Sequence, residues 1–101
     1  MNPIWVGLFQ VSGSQDNPML EGDAGAWVWV AAQAEDGAKL TIRVENAMAM
    51  LGLDLIESEQ VQEVIDEDEL SEAIAELIPQ ARRDVGSVVC GTWHKFKNQD
   101  A

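Results

Sequence analysis

The only thiol and the only imidazole of the chain, Cys90 and His94, stand four residues apart near its C-terminal end. A thiolate beside a basic nitrogen is the usual make-up of a nucleophilic site. On one regular strand, however, residues four apart share a face yet lie ~13 Å from each other at ~3.3 Å per residue, beyond hydrogen-bond reach. Gly91 between them is a place where a bulge would change that spacing. Cys90 therefore reads first as a small core residue and His94 as a surface side chain, and no catalytic residue is assigned.

A second stretch with chemical potential is acidic. Ten of the eighteen carboxylates fall between Asp54 and Glu76, and no Lys or Arg occurs between Arg43 and Arg82. Asp66 and Asp68 have the opening spacing of a calcium loop, but the sixth position, which must be glycine, is Ser71, and the twelfth, which should be a bidentate Glu, is Leu77. No metal is expected. The glycines at 13, 22, 25 and 37 are not followed by Lys-Ser or Lys-Thr and form no strand-to-helix phosphate loop, so no cofactor is expected either. The acids then have an ordinary use, favouring a helix N-terminus and keeping a small domain dissolved. They also have a functional one: Glu63, Glu67, Glu69, Glu72 and Glu76 are candidates for an acidic face that docks a basic protein.

The third set of residues is aromatic. In Ala26 to Ala32 tryptophan and valine alternate, so Trp27 and Trp29 point one way and Val28 and Val30 the other. The same alternation brings Trp5 with Phe9, and Trp93 with Val89, to the tryptophan side if their strands are neighbours. So much ring surface exceeds what two short helices hide. The expectation is self-association through Trp5, Trp27, Trp29 and Trp93, sheet against sheet in a closed homodimer. In the competing arrangement the tryptophan side lies beneath the chain's own helices and the N-terminal loop covers the valine side. A sheet-faced dimer would alternatively enclose a Trp-lined pocket for a small apolar ligand, with His94 or a carboxylate as its polar group, as dimeric α+β barrel enzymes do.

The elements that must hold these residues follow from breakers and periodicity. Ile4 to Val11 reads as a strand, Ser12 to Gly25 as a long loop whose Met19 and Leu20 fold back over an apolar surface, and Ala26 to Ala32 as the clearest strand. Leu40, Ile42 and Val44 alternate as in a strand, but Leu40, Val44, Ala47, Met48 and Leu51 make a helical face and Gly52 sits where a cap belongs. A helix from about Asp36 to Leu51 is expected. Leu53 to Ile65 reads as one long strand, or two short ones, with a solvated side. Asp66 and Glu69 have capping-box spacing before the helical face of Leu70, Ala73, Ile74, Leu77 and Ile78. Pro79 should end or kink that helix, with a further turn over Gln80 to Asp84. Ser87 to Lys97 closes the chain as a strand, followed by a frayed tail from Asn98 to Ala101. The order implies an α+β fold: an open four- to five-stranded mixed or antiparallel sheet with two helices packed on one face, analogous to ferredoxin-like architectures.

Composition limits the function classes. A chain of 101 residues, 47% hydrophobic with four Trp, is one packed domain over 1–101, too apolar for disorder and without any run of membrane-spanning length. The net charge of −12 works against nucleic acid and anionic membrane surfaces and favours a basic partner. A single cysteine excludes an internal disulfide framework, no signal peptide is legible, and the cytoplasm is the expected compartment. Taken together, these features point to a non-catalytic protein-interaction module.

Overall fold

The computed structural model describes residues 2–13, 16–20 and 23–96. Four strands, β1 (Ile4–Ser12), β2 (Gly25–Gln33), β3 (Asp54–Glu63) and β4 (Val89–Phe96), form one antiparallel sheet in the order β3-β1-β2-β4. The fold is α+β, as the sequence implies. The central pair, β1 and β2, contains no charged residue, which suits strands covered on both faces, whereas the edge strand β3 is acidic and exposed over most of its length.

Between β2 and β3 the chain forms α1 (Gly37–Met50). Helical periodicity overrides the strand-like alternation at 40–44, because Leu40, Val44 and Met48 share one side and become fully buried together. Asp36 caps the helix, its carboxylate accepting from the Lys39 amide at 2.8 Å. At the other end Gly52 takes a positive φ of 77°, and the amides of Gly52 and Leu53 donate to the carbonyls of Ala49 and Met48, closing the last turn.

The acidic stretch after β3 does not run as the single helix expected from Leu70 to Ile78. Asp66 instead turns its carboxylate to the amide of Asp68 and caps only a 3-10 turn over Glu67–Glu69. Two short helices follow, α2 (Glu72–Ala75) and α3 (Ile78–Arg83). Pro79 lies in the first turn of α3, where a missing N–H costs nothing, so it starts a helix rather than ending one.

The helices do not share a face of the sheet. α1 packs on Phe9, Val11, Ala26, Val28 and Val30, whereas Ile74 of α2 and Ile78 and Ala81 of α3 pack on Val6, Ala31 and Val89. Strand alternation puts these two sets on opposite sides. Since β2 is apolar on both faces, each needs a cover, and the chain divides its helices between them. The loop after β1 helps on the α1 side: Leu20 is fully buried there, Met19 packs against the cluster, and the Asn17 amide donates to the Leu51 carbonyl at 2.8 Å. Among the described residues no helix is long and apolar enough to cross a membrane.

Candidate protein-binding face

Cross-strand register decides where each candidate side chain ends up. On β2 the alternation is regular, with Trp27 and Trp29 on the face of α2 and α3, and Val28 and Val30 beneath α1. Trp5 pairs with Ala32 and Phe9 with Val28, so both lie on the α1 side. The first turn of α1 lies over Trp5, whose Cζ3 is 3.3 Å from where a Cβ on Gly37 would stand. A side chain at 37 would press on that ring and on Val61.

On β4 an irregularity reverses the expectation for Trp93. Val30 pairs with Cys90 and Val28 with Trp93, so two residues of β4, Gly91 and Thr92, oppose the single Trp29 of β2 in a bulge. Val89 therefore lies on the face of α2 and α3, and Trp93, of the same parity, on the face of α1. The four tryptophans divide two and two across the sheet and do not form a common surface. The bulge also separates Cys90, on the α1 face opposite Val30, from His94, on the other face opposite Trp27. No Cys–His pair exists. Burial pushes the Cys90 thiol above its usual range, which keeps it protonated and poorly nucleophilic.

The second face is covered only in part. α3 reaches the end of β2 at Ala31 and Gln33, and α2 reaches Trp29, with Leu77 approaching Gly91. Beyond this two full cross-strand rows continue, and among the described residues none of their side chains joins the α2 and α3 cluster. One row is Glu57–Gln10–Trp27–His94; the next is Asp54–Ser12–Gly25–Phe96. Trp27 belongs to neither core cluster and is half-buried. The Phe96 ring lies over Gly25, where an added Cβ would come within 2.7 Å of it. The result is a shelf with an aromatic floor, carboxylates along the β3 edge, and His94 at the β4 edge.

The acidic candidates occupy several places. Glu63 ends β3 on the α1 face, opposite Trp5, and with Glu69 it borders a cleft of about 340 Å³ that also includes Asp66 and Leu70. Glu72 and Glu76 are exposed at the two ends of α2, and the backbone of Glu67 is in the 3-10 turn. Glu63, Glu69, Glu72 and Glu76 do not border the shelf. The acids that do, Asp54, Glu57 and Glu59, were not singled out by spacing; their signal was strand parity, readable only once the partner of β3 is known. Leu8, Gln10 and Phe96 were missed on this face for the same reason, whereas His94 was expected beside the tryptophans only as the polar group of the ligand pocket in the alternative reading. Gly91 was the visible clue to the bulge that turns His94 and Phe96 to this side.

Among the described residues no group of three or more His, Cys, Asp or Glu side chains is arranged to hold a metal ion. Four surface clefts of about 260 to 340 Å³ have linings that contain no tryptophan. Comparison with protein-family models, curated proteins and solved structures finds no match for the chain.

Proposed function

We propose that the protein is a non-catalytic interaction module whose shelf, the open half of the sheet face carrying Trp27, binds a basic segment of another protein. The observation that supports this most is the row Glu57–Gln10–Trp27–His94, an aromatic ring on a row with an acidic edge that no helix of the described residues is packed on. An Arg or Lys laid across that row stacks on the indole and reaches the Glu57 or Asp54 carboxylate with one side chain. The net charge of −12 adds long-range steering, so association would be fast and weakened by salt. The module acts by occlusion and uses no cofactor.

Self-association, the expectation from four tryptophans on one face, is the weaker use of this surface. Trp5 and Trp93 lie on the opposite face, and the open area is roughly 16 Å by 19 Å, or ~300 Å², from about five residues on four strands. A stable dimer buries ~800 Å² on each partner. A second copy would also bring a second charge of −12.

Selection of a random peptide library on the immobilised full chain tests the proposal. Selected sequences should be rich in Arg and Lys, lose at least ~10-fold in affinity against Trp27→Ala, and weaken steeply with salt. Neutral or acidic winners, or winners indifferent to a folded Trp27→Ala protein, would refute it. Light scattering on the same samples identifies the other occupant: a dimer dissociated by Trp27→Ala would give the shelf to a second copy.

A further inference from the structure

On its own face of the sheet α1 packs mainly along β3. Its other flank borders two clefts. One, of about 330 Å³, is lined by Arg43, Asn46, Ala47 and Met50 of the helix and by Gly86 and Val88 of the segment leading into β4. The other, of about 260 Å³, includes Lys39, Ile42 and Arg43. Arg43 is common to both, so the clefts follow one another along α1 from Lys39 to Met50, ~17 Å at ~1.5 Å per residue.

This groove is apolar and poor in acids, in a chain that is otherwise strongly acidic. Met50 is 89% exposed and Ile42 50%, and an added Cβ on Gly86 would meet nothing within 4 Å. Glu45, the one acid between Gly37 and Met50, stands roughly 160° round the helix from Arg43, and Glu35 lines only the far end. Two of the chain's six Lys and Arg lie in the strip instead. Lys39 is exposed, and Arg43 is held between the clefts, its guanidinium donating to the carbonyls of Gln33 and Val85.

We propose that this groove docks an amphipathic helix of a partner protein, one with an apolar face and an Asp or Glu set against Lys39 and Arg43. Midway along α1 every backbone N–H and C=O is used within the helix, so nothing there pairs with an extended chain. A second helix brings its own backbone bonds and seats its side chains between the ridges of α1, and three turns span the groove. Charge selects among helices. A basic one meets Lys39 and Arg43, a strongly acidic one meets the net charge of −12, and the match is an otherwise neutral segment with one or two acids. A second copy of the chain would set these cations against their own counterparts and bring another −12. The shelf lies on the other face of the sheet, so either surface can fail without the other.

The test is a displayed library of ~14-residue helical peptides, apolar at positions i, i+3, i+4 and i+7 and random elsewhere, selected on the immobilised full chain. Winners should carry Asp or Glu beside the apolar face. They should lose ~10-fold or more in affinity against Gly86→Phe, which fills the groove, and against Lys39→Glu, which reverses its charge, with Trp27→Ala unchanged. Both variants suit the fold: Gly86 has an ordinary φ and open space around it, and an acid at 39 lies in the first turn of α1, where the helix dipole favours it. Absence of any saturable binder overturns the proposal. So do winners rich in Lys and Arg, or winners that bind both folded variants at full strength. A dimer in light scattering that Gly86→Phe dissociates also overturns it, giving the groove to a second copy.

Discussion

The two faces of the sheet are closed by different means. Over one lies a fourteen-residue helix with capped ends, joined by a loop that buries Leu20, and the residues beneath it from Phe9 to Val30 are excluded from solvent. Over the other lie helices of four and six residues that cover only the Val6, Ala31 and Val89 end. Their attachment includes a side-chain amide, Gln33, bonded to the last carbonyls of α3. A domain of this size has little apolar material to spare. Here it is concentrated on one face as stability, and the half-covered face is left with rings, carboxylates and an imidazole at its surface.

The largest effect should separate the two faces directly. Phe9 is fully buried under α1, so Phe9→Ala should cost ~3–5 kcal/mol through lost burial and a cavity, enough to threaten folding at ordinary temperature. Trp27→Ala removes a larger side chain, but from an open row, and should cost less than about half as much on the same scale. Urea denaturation of the two variants decides. Equal losses would mean that the shelf is core and that the difference between the faces is false.

A smaller effect tests whether the second cover can loosen alone. Gln33→Leu keeps the bulk but removes the donor to Ala81 and Arg82, and losing such buried bonds costs ~1–3 kcal/mol. The loss should be local. Amide exchange should quicken through α3 while α1, on the other side of the sheet, keeps its protection. Uniform acceleration in both helices would show that the two faces form one cooperative unit.

Which parts of this were legible in the sequence follows from what each depends on. α1, its Asp36 cap and its Gly52 ending are local, and their residues announce them. The strands were legible from alternation and breakers, and so was the apolar character of both faces of β2. Pro79 misled because the same residue that terminates a helix also begins one well, and only the packing of Ile78 chooses between these roles. The division of helices between faces, and the partners of β3 and β4, are long-range facts without a local signal. The site suffered most from this. Parity predicts that Val89 and Trp93 share a side, and one extra residue near Gly91 reverses the prediction for every side chain after it.

That reversal makes Cys90 and His94 the finest probe of the difference between the faces. Cys90 lies on the α1 side, partly buried, and its thiol is pushed above the usual range by burial. A raised value in the folded state means that the folded chain holds the proton more tightly than the unfolded one. The stabilising contribution is therefore complete below the unfolded value of about 8.5 and is lost as pH rises through the folded one. The stability difference between the natural chain and Cys90→Ala should shrink above pH ~8.5 and stay constant below it. The native thiol should also react slowly with an aromatic disulfide reagent and quickly in urea. His94→Gln should leave the native rate unchanged, because the imidazole stands on the other side of the sheet with the backbone between them. A marked fall in that rate would bring the two residues back to one face and remove the bulge, and with it the placement of His94 and Phe96 on the shelf.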